Sequence, residues 1–327
     1  MRPNRPAQVQ LERKSQGVAL LSVLLVVTIV LAVAARLMAN HGLSISQNQN
    51  AFEQDQALQY VLGAEVLATQ ALVQDFQQTG EVDHLGEQWA QPVLPFDLDE
   101  GGFLEARVID LQNCFNLNNL NGSNSDEVRE QFKRMLRNLG AQPEIADRWK
   151  DWIDADNVVT DFGAEDSEYL LSDIPHRTPN TLVTDVSELA MLNSISQEEV
   201  ALITPEVCAL PATETRININ TAGIQTLAAF SENVTPAQLE ALVSQPREYT
   251  SVDQFINENP DFQSADAVLG VGSQYFQVQA YAEVGDSSVS LQSLLQRDTS
   301  SGQITVLSRN FGKLFRSSLE VEISEES

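Results

Sequence analysis

Basic side chains are scarce in this sequence. Lysine and arginine number 19 against 46 aspartates and glutamates, a formal charge of −27 over 327 residues. A surface this acidic repels polyanions, which argues against a protein that grips nucleic acid. Histidine is almost missing: His41, His84 and His176 lie in three separate regions, and neither cysteine has one nearby in sequence. No G-x-S-x-G, H-E-x-x-H or phosphate-cradling glycine loop is present, so the chain reads as a non-enzyme. Cysteine occurs twice. In an oxidising compartment Cys114 and Cys208 are the only candidates for a disulfide, and two free buried thiols are the other reading.

Charge is absent from residues 18–35, where only Ser22 and Thr28 are polar. A helix there would run roughly 27 Å at about 1.5 Å per residue, close to a hydrocarbon core. Arg2, Arg5, Arg13 and Lys14 precede it, and such flanks stay cytoplasmic, so everything beyond Arg36 is expected across the membrane. A secretory signal is the other reading, with Ala32-Val33-Ala34 as its small-residue cleavage site. Against it, Leu58, Leu62, Val66, Leu72, Val73 and Phe76 continue a stripe of helical spacing as far as Thr79-Gly80. The pattern predicts one rod that is apolar first and amphipathic from Asn40 to Thr79.

The start of that rod is distinctive. Lys14-Ser15-Gln16-Gly17 closes a short basic leader, and Val18-Ala19-Leu20-Leu21-Ser22 follows without a break. This junction resembles the class III signals of type IV pilins and pseudopilins, which prepilin peptidase cuts after the glycine before methylating the new N-terminus. The resemblance implies processing at Gly17 and Val18. Two positions depart from the usual pattern: Val18 stands where phenylalanine is usual, and Ser22 where the fifth mature residue is usually glutamate. In those proteins the glutamate is thought to neutralise a neighbouring subunit's N-terminal ammonium within the apolar fibre. An unpaired charge there is costly, so a subunit with Ser22 suits the end of a fibre better than its middle.

Leader, junction, missing glutamate and a large head together resemble the minor pseudopilin K family of the type II secretion system. The resemblance implies assembly at the tip of the periplasmic pseudopilus, where such a subunit initiates or caps the fibre that drives exoprotein export. The implied partners are the minor pseudopilins I and J, with H and the major pseudopilin below, and the prepilin peptidase. The implied location is the inner membrane, single-pass, with the N-terminus cytoplasmic and the bulk periplasmic. Loss of residues 1–17 would leave 15 basic against 45 acidic side chains.

The fold class read from the sequence is α+β, a pilin-like long helix plus antiparallel sheet interrupted by a large inserted α-helical domain. Strand signals lie in 103–111, 275–284, 303–307 and 319–323, with the helical block between the first two. The division is leader 1–17, transmembrane helix 18–36, first pilin-like part 37–118, insert 119–274 and second pilin-like part 275–327. Phe115-Asn116-Leu117-Asn118, just ahead of the insert, parallels Ile217-Asn218-Ile219-Asn220 inside it, and each run precedes an amphipathic helix and a proline that opens another. The two units resemble SAM-like or helix-hairpin-helix modules. Such modules often hold DNA, but residues 119–275 carry 26 acidic and 9 basic side chains, which favours a structural or protein-binding use.

The first unit carries an extra acidic loop. Asp151, Asp154, Asp156, Asp161, Glu165, Asp166 and Glu168 fall within 18 positions. Carboxylates packed this closely repel unless a cation or solvent screens them, and hard oxygen ligands suit Ca²⁺. Asp154 and Asp156 are spaced as in the opening of many calcium loops, and Glu165 is twelfth from Asp154, yet Val159 stands where an EF-hand needs glycine. The WID-x-D and GAED-x-x-Y runs resemble the K pseudopilin signature, which implies a calcium-bound head. Asp154, Asp156, Glu165 and Asp166 are the expected ligands, with Asp151, Asp161 and Glu168 in reserve, and a solvated acidic loop is the alternative. Two other functions remain open at this stage: a DNA-uptake or competence protein, and a minor pilin of a type IV pilus.

Overall fold

The structure, a computed structural model, describes residues 12–91, 93–98 and 101–313. The strand expected at 319–323 lies outside the described residues. A single 68-residue helix, α1 (Glu12–Thr79), opens the described chain. No proline interrupts it, and it stops at Gly80, whose φ of 77° ends the helix while its N–H reaches the Phe76 carbonyl at 3.0 Å. From Leu20 to Leu37 its large apolar side chains are exposed all round. Burial begins at Ala57.

Two strands follow, β1 (Val93–Asp97) and β2 (Gly102–Asp110). The chain then leaves the sheet for the insert: β3 (Phe115–Asn116), α2 (Ser125–Leu139), α3 (Ile145–Ile153), α4 (Asp166–Tyr169), α5 (Gln197–Ile203), β4 (Val207–Cys208), β5 (Ile217–Asn218), α6 (Ile224–Ala229), α7 (Pro236–Val243), α8 (Val252–Glu258) and β6 (Leu269–Gly270). It returns as β7 (Tyr275–Val284), β8 (Ser287–Arg297) and β9 (Ile304–Asn310). The five-stranded sheet has the order β1-β2-β7-β8-β9 and is antiparallel throughout. Strand β2 pairs directly with β7, from Gly102↔Val284 to Asp110↔Phe276, so the whole insert hangs from one gap between neighbouring strands.

The helix lies on this sheet through small residues. Ala57, Val61 and Ala64 pack against Ala106, Ala280, Ala282 and Leu291, and further along Leu72 meets Trp89, Phe276 and Leu295. Leu72 is buried as the expected stripe required, and the rest of that stripe is corrected in part. Leu58 and Leu62 only flank the contact, and Val66 is 55 % exposed. Alanines on both surfaces let the backbones approach, and the buried face rotates onto them. Glu65 is sealed in the same interface, where its carboxylate accepts from Arg309 Nε and Nη2, both at 2.8 Å, and from Ser293 Oγ at 2.5 Å. Strand β8 was not anticipated from the sequence: its serines and glutamines mask an inward row of Leu291, Ser293 and Leu295.

The insert has its own core, centred on Phe115, Phe132, Trp149, Tyr169, Phe255 and Phe262. Two short parallel pairings organise it, β3 with β4 and β5 with β6. Their asparagines play matching parts. Asn118 donates to the Val183 and Leu210 carbonyls and accepts from Val183 N–H, while Asn220 donates to the Tyr249 and Val271 carbonyls and accepts from Tyr249 N–H. In each unit the asparagine two residues earlier, Asn116 or Asn218, accepts the backbone N–H of this one. A disulfide between Cys114 and Cys208, Cα atoms 5.9 Å apart, ties β3 to β4 beside Leu111 and Tyr275, at the neck of the insert.

Candidate metal centre

The acidic loop begins where α3 runs out. Asp151, in the last turn, is fully buried and accepts from the Thr160 N–H at 3.1 to 3.2 Å, folding the loop back on the helix. Its other neighbour is Gly163, where any Cβ would collide with the Asp151 carboxylate. Asp154 caps the helix in an extended conformation. Asp156 accepts the Val158 N–H at 2.8 Å in a tight turn, and Glu165 begins the short helix α4. Asn180 ties the strand of loop opposite, its N–H on the Trp152 carbonyl and its Nδ2 on the Asp156 carbonyl at 3.3 Å each.

These turns bring Asp154, Asp156 and Glu165 together, each offering a carboxylate oxygen within 4.8 Å of the others. Glu165 is 3 % exposed, and neither of its oxygens has a hydrogen-bond partner. Asp154 Oδ1 and Asn180 Oδ1 are buried and unpaired as well. Burial, reinforced by the Asp151, Asp154 and Asp156 charges, pushes the Glu165 carboxyl up to about 7. Asp151 is pushed up to about 6, again by burial first, and Asp154 is raised by burial and by Asp156. Unpaired, partly dehydrated carboxylate oxygens converging on one point have the chemistry of a hard divalent cation site, and nitrogen and sulfur donors are missing from the set.

The remaining sequence-predicted ligands point elsewhere. Asp166 does not join the cluster: it accepts from Arg177 Nη1 at 2.8 Å and from the Thr178 N–H and hydroxyl at 3.0 and 3.1 Å. Neighbouring positions at a helix start face in different directions, so Glu165 and Asp166 cannot both turn inward. Asp161 pairs with Arg129 at 3.2 Å, and Glu168 with Arg148 at 2.7 Å. Sequence reasoning missed Asn180, which lies 15 residues past Glu165 and carries no metal-motif signal. Gly17 and Val18 lie within α1, which runs through them without a break.

A second set of acidic side chains, also unanticipated, lies at the opposite end of the sheet interface, where Asp75, Asp83 and Glu87 meet within 4.8 Å. The same region is the junction to the insert. Asn218 Nδ2 reaches the Asp83 carbonyl, Asp110 Oδ2 and Ser273 Oγ at 3.0 to 3.1 Å, and Asp83 is paired with the buried Arg297. The head therefore sits on the far end of α1, away from the exposed apolar segment.

Comparison with known proteins locates the chain. A family model described as Type II secretion system (T2SS), protein K matches residues 113–212. A type II secretion system protein K from Pseudomonas aeruginosa is 40 % identical over 320 residues, covering 93 % of this chain and 95 % of that protein. A protein K from Pectobacterium carotovorum is 32 % identical, with 91 % and 97 % covered. Among solved structures, a chain in the GspK-GspI-GspJ complex of the enterotoxigenic Escherichia coli type 2 secretion system superposes with a TM-score of 0.72 at 28 % identity, covering 82 % of this chain and all of that one.

Proposed function

Since the chain belongs to the type II secretion system protein K family and is a minor pseudopilin of that system, we propose that it forms the tip of the periplasmic pseudopilus. The observation that carries this reading is the placement of the head. It is inserted between β2 and β7 and seated over the end of α1 farthest from the apolar segment, where a further subunit would have to stack. The apolar segment anchors the chain in the inner membrane until assembly, with the bulk periplasmic, and it packs with equivalent helices of other subunits in the fibre.

The solved relative is described in complex with GspI and GspJ, and the same two neighbours are proposed here, with H and the major pseudopilin beneath. Phe52, Val66 and Leu67 stand exposed on the rod and offer apolar contacts to them. Processing after Gly17 and methylation of Val18 complete the maturation. The chain has a structural role and no catalytic one. In the insert, whose two units resemble SAM-like or helix-hairpin-helix modules, Ca²⁺ is held by Asp154, Asp156 and Glu165 with Asn180 Oδ1 at hand. Its task is to order residues 154–180.

The test is mass analysis of the N-terminus after membrane extraction, followed by co-purification with I and J. A methylated start at Val18 and a stable ternary complex are expected. A start at Ala35, or a protein that leaves I and J behind, would refute the reading. Ser22→Glu supplies the missing carboxylate and is expected to move some of the protein into the body of the fibre.

A further inference from the structure

The acidic set at the end of α1 is built differently from a solvated surface patch. Asp75 lies in the penultimate turn of the helix, Asp83 in the turn that leaves it and Glu87 at the start of the next short helical turn. Asp83 is 0 % and Glu87 7 % exposed. Each of the three carboxylates has one buried oxygen without a hydrogen-bond partner: Asp75 Oδ2, Asp83 Oδ1 and Glu87 Oε1.

The second oxygens of Glu87 and Asp83 are engaged. Glu87 Oε2 accepts from Trp89 Nε1 at 2.7 Å and from the His84 N–H at 3.0 Å, and Asp83 Oδ2 accepts from the Ser273 N–H at 2.7 Å and from Arg297. Arg297 is itself turned against the Phe76 and Phe276 rings, 5.2 and 4.9 Å from their centroids. The guanidinium of Arg297 faces three carboxylates, and His84 Nε2, 3.6 Å from Glu87 Oε1, adds a positive charge only when protonated, so with a neutral imidazole two negative charges stay uncompensated. Buried charge in that amount is not tolerated without a counter-ion or protons. A cleft of about 420 Å³ lined by Asp75, Gln78, Thr79, Glu87 and Trp89 gives solvent access to the Asp75 and Glu87 side of the cluster.

We propose that Asp75, Asp83 and Glu87 bind a divalent cation of the Ca²⁺ type, a second site separate from the one in the insert, which clamps the end of α1 to the sheet and to the base of the head. The donors are three carboxylate oxygens, which suits a hard ion, and its two charges match the deficit. Protons are the competitor. They compete with any cation for carboxylate oxygens, so the titration is run at pH 8.

The full-length processed protein in detergent, carrying Asp154→Asn, Asp156→Asn and Glu165→Gln to silence the first site, is titrated with Tb³⁺ at pH 8. Emission is excited through tryptophan. The chain has three tryptophans, and Trp89 is the one hydrogen-bonded to a proposed ligand. One equivalent of Tb³⁺ is expected to bind with sensitised emission, displaced by Ca²⁺, and Trp89→Phe should cut that emission at least fivefold without changing the stoichiometry. Adding Asp75→Asn and Glu87→Gln should abolish it. The proposal is overturned if the silenced protein emits no more than the variant lacking both clusters, or if Trp89→Phe leaves the emission unchanged. Because Trp89→Phe keeps all three carboxylates, that second arm holds even if the charge variants fold poorly.

Discussion

Glu165→Gln should change the sign of its effect with calcium. In the metal-free protein Glu165 faces Asp154 and Asp156 across less than 4.8 Å, and its oxygens have no hydrogen-bond partner. Two charges at that distance repel by about 3 kcal/mol at an effective dielectric near 20, and the exposure of Asp156 reduces its share. Neutralising Glu165 should therefore relieve about 2–3 kcal/mol at pH 8, where its carboxyl, pushed up to about 7, is ionised. For a unit of this size each kcal/mol shifts the melting temperature by about 2–4 °C, so in chelator the variant should melt roughly 5–10 °C above the parent. Calcium at a hundred times its Kd would add about 2.7 kcal/mol to the parent and little to the variant, which has lost its most enclosed ligand. The two melting curves should then exchange order or merge. Near-UV circular dichroism melts in EDTA and in Ca²⁺ measure both effects. A variant that melts below the parent in EDTA, or gains as much as the parent from Ca²⁺, refutes the reasoning.

Other expectations concern the frame. Burial raises the pKa of Glu65, but the hydrogen bonds from Arg309 and Ser293 and the Arg309 charge outweigh it and hold the carboxyl below its ordinary value. Its stabilisation is thus complete above about pH 5 and fades as pH falls through the lowered value. Glu65→Gln should cost about 1–2 kcal/mol at pH 7, limited by the half-exposed Arg309, and should flatten the stability profile below about pH 5 in urea titrations. Replacing Cys114 and Cys208 together by serine opens a crosslink between residues 94 apart and should cost about 2–5 kcal/mol, read as a lower denaturant midpoint that reductant no longer shifts. Asn118→Ala would strand the buried Val183 and Leu210 carbonyls and the Val183 N–H, and at least about 3 kcal/mol should be lost, with proteolysis beginning inside 113–212.

Much of this architecture was legible where one residue type dominates a period. The uncharged run and the strands at β2, β7 and β9 stood out because apolar residues repeat cleanly there. Strand β8 did not, because Ser293 occupies an inward position for the sake of Glu65, and a polar residue in the buried row breaks the alternation. Strand β1 was hidden by Pro95 and its short length. Leu72 was placed correctly, but the rest of the helix face was shifted by the size of alanine, which counts little in a hydropathy pattern yet sets how closely two backbones approach. Asp154, Asp156 and Glu165, which the structure brings together, stand at first, third and twelfth spacing, whereas Asp166 was grouped with them through the GAED-x-x-Y run that resembles the K pseudopilin signature. Asp75, Asp83 and Glu87 span a helix end, and no periodicity connects residues across a change of backbone direction.

The gap between β2 and β7 also bears on how the chain folds. Pairing Asp110 with Phe276 from an unfolded state would close a loop across residues 111–275, at an entropic cost of roughly 4–5 kcal/mol before any compensation. A folded insert removes that cost, since its two ends already lie together: the Leu111 N–H bonds the Tyr275 carbonyl at 2.9 Å and the Gln274 N–H bonds Gln112 Oε1 at 2.6 Å. A head that assembles first would act as a template for the strand pairing. Insertions and deletions on its outer loops leave the sheet's nucleation untouched, whereas loosening its neck would slow the folding of a sheet whose own residues are unchanged.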